Sequence, residues 1–98
     1  MMYILFYDIS DDKLRNKISK LLISKGYERL QLSVFTGLEN PVKDIQLWLT
    51  IQNLLKSEPN SKLYVLPVKK DYFCSMQGFG LQDLDLEYLA GLRSSLIF

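Results

Sequence analysis

Six residues near the N-terminus, Tyr3-Ile4-Leu5-Phe6-Tyr7-Asp8, constrain this chain more than any other stretch, because an apolar run ends on a carboxylate. A run this short, rich in branched and aromatic side chains, reads as a strand covered on both faces. Alternation places Tyr3, Leu5 and Tyr7 on one face and Ile4, Phe6 and Asp8 on the other. Asp8 then shares a face with two core residues, at the end of a central strand. An unpaired buried carboxylate is costly. A metal ion, a basic side chain, helix N-terminal amides or solvent at a sheet edge must therefore meet it.

The residues that follow carry a helix start. Ser10 is the expected N-cap, with Asp11 and Asp12 in the first turn, where negative charge complements the helix dipole. Leu14, Ile18, Leu21 and Leu22 recur at helical spacing and form the stripe that faces the sheet. Lys13, Lys17, Lys20 and Ser24 line another face, and Arg15 borders the apolar stripe near the strand end that carries Asp8. Gly26 is placed to stop the helix.

From Tyr27 to Leu38, Leu30, Leu32 and Val34 alternate with polar neighbours, so this segment is one long strand or a hairpin folded near Leu32-Ser33. Asn40-Pro41 reads as the N-cap and first residue of a second helix that runs to about Ser57. Its polar wedge is narrow (Lys43, Gln46, Thr50, Asn53), and the apolar arc is too wide for one sheet face. Part of this helix is therefore expected to meet a second subunit or the C-terminal tail. Leu63 to Val68 is a strand, which Pro67 confines to a sheet edge.

This order predicts an α+β fold, a ferredoxin-like βαββαβ split sheet. Its helices would cover one sheet face, and the apolar side chains of the other, open face argue for a homodimer. Residues 1–70 would form the core and residues 71–98 a C-terminal tail for dimer or partner contacts. Phe73 to Phe79 and Leu92 to Phe98 are the segments expected to form strand there, beside Leu63–Val68, in the same chain or across a dimer.

Composition removes whole classes of chemistry. Among 98 residues there is no histidine and one cysteine. That excludes His-based nucleophilic pairs, His-ligated zinc, internal disulfides and Cys-rich zinc sites. Net charge is +1, so nucleic-acid binding would need basic residues gathered on one face. No apolar run approaches the roughly 20 residues that span a bilayer. With no secretory pattern at the N-terminus, the expected setting is a reducing cytoplasm, away from any membrane.

What remains is carboxylate, arginine, tyrosine and hard-metal chemistry. Asp11 and Asp12 are accounted for by the helix start, whereas Asp8 is not. One carboxylate makes a poor Mg²⁺ site, but two donated across a dimer axis would make a workable one, with water completing the octahedron. Arg15, Lys17 and Arg29 are candidate phosphate contacts, and Tyr7 and Phe35 are candidate base-stacking rings whose simpler role is core packing.

Three segments carry a family resemblance. Tyr3 through Lys17 resembles the opening of CRISPR-associated protein two, the small partner of the CRISPR integrase. Arg29-Leu30-Gln31-Leu32-Ser33-Val34-Phe35 resembles that family's Arg-x-Gln-x-Ser-Val-Phe hairpin, and Leu63 to Val68 its edge strand. The ending from Asp83 to Phe98 is similar to longer-tailed members.

The resemblance implies a homodimer whose two Asp8 carboxylates share a divalent cation, Mg²⁺ or Mn²⁺. It implies a metal-dependent endonuclease on single-stranded RNA or double-stranded DNA. It also implies a scaffold that binds the integrase subunit and holds DNA to be inserted as a new spacer. Tyr7, Asp8, Arg15, Arg29 and Phe35 match positions implicated in cleavage, with Asp8 as metal ligand. Arg15, Lys17, Lys20 and Arg29 would contact nucleic acid. Leu32 replaces a common tyrosine and so weakens base stacking at that point. Two rivals share the fold: a non-catalytic DNA scaffold, and a toxin-type ribonuclease of the related virulence-associated family.

Overall fold

The apolar run becomes the central strand of a sheet. In the computed structural model, which describes residues 1–80 and 84–92, β1 (Met2–Asp8) pairs antiparallel with β3 (Val34–Gly37) on one side and β4 (Lys62–Val68) on the other. β2 (Glu28–Gln31) pairs with β3, giving a four-stranded antiparallel sheet of order β2-β3-β1-β4. With α1 (Asp12–Ser24) and α2 (Ile45–Leu55) between strands, this is the expected ferredoxin-like βαββαβ arrangement. β4 lies at an edge, and Pro67, opposite Tyr3, is tolerated there.

Capping sets the helix ends, one residue later than expected at the start of α1. Asp11, not Ser10, is the N-cap, and its carboxylate accepts from the Leu14 amide at 2.8 Å. An aspartate competes well for this position because its charge also meets the helix dipole. At the other end Gly26, with φ of +90°, follows the Lys25 cap. The amides of Gly26 and Tyr27 return to the carbonyls of Ile23 and Leu22, both at 3.0 Å, closing a Schellman turn.

The segment from Tyr27 to Leu38 is the hairpin of the two alternatives. Gln31 pairs with Val34 across the two-residue turn Leu32-Ser33, and a bulge falls between Arg29 and Gln31. Gly37 is required by close approach: a Cβ there would lie 2.4 Å from the buried Tyr27 ring.

The second helix departs from the expectation. Asn40 caps only a 3-10 turn, Pro41–Lys43. The chain then leaves helical geometry at Asp44, whose carboxylate accepts from the Leu47 amide at 3.2 Å and starts α2 afresh. Two capping residues four positions apart give two starts. Of its wide apolar arc, Leu47 and Ile51 are fully buried, Trp48, Leu54 and Leu55 pack partly on the core, and Ile45 and Leu49 stay exposed.

The core has two parts, one on each sheet face. Leu5, Tyr7 and Phe35 meet Leu14, Ile18, Leu22, Leu47 and Ile51 under α1 and α2. On the opposite face Met2 joins Phe73 and Ala90, with Ile4, Leu30, Val68, Met76, Leu86 and Leu89 packed around them. The described tail is thus helical, with α3 (Lys70–Cys74) and α4 (Leu86–Leu89), and not the strand expected from Phe73 to Phe79. Its apolar residues recur at intervals of three (Phe73 and Met76, Leu86 and Leu89), which suits helices and not an alternating ladder.

Beyond Leu92, the other expected strand lies outside the described residues. The described tail packs around Met2 and Ile4, so the second sheet face is covered at that end by the chain itself. Toward the other end Phe6, Tyr64 and Leu66 remain 37%, 47% and 48% exposed, with the Phe6 and Tyr64 rings stacked at 4.9 Å. No helix among the described residues is long and apolar enough to cross a membrane.

Candidate active site

The far end of β1, the hairpin tip and the first turns of α1 converge on one cleft. It has a volume of about 450 Å³ and is lined by Tyr7, Asp8, Ile9, Arg15, Asn16, Ser19, Arg29, Leu32 and Ser33. Four of the five residues expected to be catalytic line it directly.

Each reaches the cleft for a local reason. Tyr7, on the helix-covered face of β1, donates its hydroxyl hydrogen to the Leu32 carbonyl at 3.1 Å, while its amide donates to the Ser33 carbonyl at 3.1 Å. These bonds tie the hairpin tip to the strand end. Phe35, fully buried, lies beneath, its ring 6.2 Å from that of Tyr7. Arg29 stands opposite Phe35 in the β2–β3 register, with its guanidinium carbon 5.1 Å from the ring centroid. Burial pushes the Tyr7 phenol above its ordinary range, against the opposing pull of Arg29 and, more weakly, of Arg15.

Arg15 comes from the first turn of α1, whose start is set by Asp11. Its Nη1 donates to the carbonyls of Ile9, at 2.9 Å, and Ser10, at 3.1 Å, and its Nη2 pairs with Asp12. The guanidinium therefore grips the turn that follows Asp8.

Asp8 corrects the sequence expectation of a carboxylate buried among core residues. It is exposed, as is its face-mate Phe6, because the tail covers only the other end of that sheet face. Solvent at the strand end answers the desolvation problem. Lys17 and Lys20 are exposed on α1 and do not line the cleft. Asn16 and Ser19 do line it, and sequence reading missed them. Ser19 lies four positions after Arg15 and three after Asn16, so it is the helical neighbour of both and the three reach the cleft from adjoining sides of one turn.

The arrangement offers two guanidinium groups, amide and hydroxyl donors, and a single carboxylate. That donor set suits an anionic, phosphate-like oxygen ligand. Among the described residues, Asp8 is the cleft's only carboxylate, and no group of three or more His, Cys, Asp or Glu able to hold a metal ion is found. One chain alone thus does not make a magnesium cage, and a cation at Asp8 would need ligands from elsewhere.

Residues 1–76 match the family model described as CRISPR associated protein Cas2. The CRISPR-associated endoribonuclease Cas2 2 of Pyrobaculum aerophilum is 45% identical over 47 residues, which cover 46% of this chain and 52% of that relative. The endoribonuclease Cas2 1 of Archaeoglobus fulgidus is 46% identical over 41 residues, 42% of this chain and 44% of the relative. The match thus spans about half the length of these two relatives.

Among solved structures, a hypothetical protein from Thermus thermophilus is 35% identical with a TM-score of 0.58, covering 69% of this chain and 80% of its own. A chain of a partial Cas6-RT-Cas1–Cas2 complex is 29% identical with a TM-score of 0.58, covering 80% and 89%. Streptococcus pyogenes Cas2, 20% identical with a TM-score of 0.66 over 82% and 100%, shares the fold.

Proposed function

The chain belongs to the CRISPR associated protein Cas2 family, and on that premise we propose that it is a nucleic-acid-binding protein of CRISPR spacer acquisition. In this reading it docks an integrase subunit and hydrolyses phosphodiester bonds at the Asp8 cleft. The observation that carries the hydrolytic part is the convergence of Tyr7, Asp8, Arg15 and Arg29 on one cleft. The endoribonuclease names of the relatives favour RNA, and the partial complex with Cas1 favours an integrase partner.

The protein works as a homodimer through the uncovered part of the sheet. Phe6, Tyr64 and Leu66 form an exposed apolar strip on the face that also carries Asp8. Burying that strip against a second copy removes apolar surface from water, worth about 25 cal/mol per Å². It also brings two copies of Asp8 toward one axis. The pair would hold a Mg²⁺ or Mn²⁺ ion, which supplies Lewis acidity and charge neutralisation at the scissile phosphate. The chain's own part is to receive phosphate in a cleft lined by guanidinium groups and to keep the hairpin tip fixed by the Tyr7 hydroxyl.

A second reading, the non-catalytic scaffold, is favoured by the lone carboxylate of each cleft. A Mg²⁺ and Mn²⁺ titration of single-stranded RNA cleavage separates the two. Asp8→Asn is expected to abolish metal-dependent cleavage while leaving the dimer and integrase capture intact, since a like-charge pair is relieved. Equal cleavage by variant and parent would sink the catalytic assignment of Asp8 and leave the scaffold reading standing.

A further inference from the structure

Resting on that nucleic-acid reading, we propose that the two arginines of the cleft are not equivalent. Arg29 is the cation that touches the substrate phosphate. Arg15 is a positioning residue that fixes the turn carrying Asp8, and Tyr7 and Phe35 act on the substrate through Arg29.

The hydrogen bonds divide the work. A guanidinium has five N–H donors. Three of those on Arg15 are committed, to the carbonyls of Ile9 and Ser10 and to the Asp12 carboxylate. Its charge is partly balanced by Asp12, and its donors hold the residues immediately after Asp8. With two donors left and its charge already partly balanced, it is the weaker of the two arginines as a phosphate ligand.

Arg29 is in the opposite condition. The described ion pairs, Arg15–Asp12 and Lys25–Asp44, do not use it, and the polar neighbour its donors reach is the Tyr7 hydroxyl oxygen. It is exposed at the cleft and lies over the Phe35 ring, which attracts a cation electrostatically and restricts its rotamers. Phe35 itself is completely buried and has no surface to offer a base, so its effect must pass through what lies on it. The Tyr7 hydroxyl hydrogen is spent on the Leu32 carbonyl, so this side chain holds the hairpin that carries Arg29. A planar donor held on an aromatic ring beside a lone carboxylate is arranged for one bidentate phosphate contact.

The test uses a single-stranded RNA 20-mer, with binding followed by fluorescence anisotropy over a salt series and cleavage followed with Mg²⁺ or Mn²⁺. Arg29→Gln is expected to lower the slope of log K against log salt by about 0.7, one phosphate contact on a single strand. Arg29→Lys, which keeps the charge, should restore most of that slope. Arg15→Lys keeps the charge but cannot make the same fork to two carbonyls and Asp12. It should retain the parent's slope and KM while lowering kcat about tenfold or more. Adding Tyr7→Phe to Arg29→Gln should weaken binding no further.

The assignment is overturned if Arg15→Gln, checked for its fold by circular dichroism, lowers the slope as much as Arg29→Gln. It is overturned equally if Arg15→Lys cleaves like the parent, or if Tyr7→Phe adds fully to Arg29→Gln. A parent that binds RNA steeply with salt but never cleaves it refutes the hydrolase reading, and the slopes still decide between the arginines. A parent that does not bind RNA overturns both.

Discussion

The two faces of β1 are finished in different ways. On one, Leu5 and Tyr7 are covered by α1 and α2, whose apolar stripes were made for that purpose. On the other, Met2 is covered by α3 and α4 of the same chain, while Phe6 and Asp8, a few residues along, are left open. Apolar side chains are buried on the first face and at the Met2 end of the second. The remaining strip and the cleft beside it are the parts of the sheet free to do something else. A strand that alternates strictly can thus serve the core with one set of residues and an interface with the other.

The largest expected effect tests whether the tail cluster is core in the same sense as the helix-covered one. Phe35→Ala and Phe73→Ala each empty a fully enclosed site, one in each cluster. Both should cost roughly 3–5 kcal/mol in urea unfolding. A cost below about 1 kcal/mol for Phe73→Ala alone would show the tail to be an attachment and sharpen the asymmetry between faces. It would also support the sequence expectation that residues 1–70 stand by themselves as the core.

A smaller effect is expected on the open strip. Leu66→Asp places a charge beside Phe6 and Tyr64 but empties no cavity, so monomer stability should change by only about 0.5 kcal/mol. Dimer dissociation in sedimentation should rise at least tenfold, about 1.4 kcal/mol. An unchanged dimer would move the interface off this face. Next comes Gly26→Ala, which forces a side chain into the left-handed region at the end of α1 and should cost about 1 kcal/mol by thermal melting. It loosens the helix on the covered face while leaving the open strip as it was.

The smallest effect is a drift with pH. Burial, reinforced by the charges of Asp44 and Glu39, pushes the Tyr27 phenol up to about 12 from its ordinary 10. A raised folded-state value means the stabilisation is complete below pH 10 and is lost as pH rises from 10 to 12. Tyr27→Phe should flatten that alkaline decline in a pH series of melts, and it also removes the 2.8 Å hydrogen bond to the Glu39 carbonyl. An identical decline would assign the alkaline sensitivity to other groups.

Local patterns were enough for much of this molecule. The alternation of Tyr3 to Tyr7, the 3.6-residue stripe of Leu14, Ile18 and Leu22, Gly26 and Pro67 are short-range signals. Each acts within a turn or a ladder step, so the central place of β1, the end of α1 and the edge position of β4 were legible before any tertiary contact was known. Asp8, Arg15 and Arg29 stood out for the same reason, as charges placed where a strand end, a helix border and a hairpin would leave them.

Competition between neighbours was not legible. Asp11 displaced the expected Ser10 as the cap of α1, and Asp44 added a second cap after Asn40, so that the 3-10 turn and α2 start separately. Nor was the geometry of approach: which carbonyls Arg15 would grip depends on the path of the turn through Ile9 and Ser10, and that Asn16 and Ser19 would join the cleft or the tail would cover Met2 depends on elements far apart in sequence. Composition and spacing determined which residues could carry charge, turn or core. Only the tertiary structure decided which charges are committed and which are free, because a hydrogen bond between side chain and backbone depends on angstroms that no periodicity encodes.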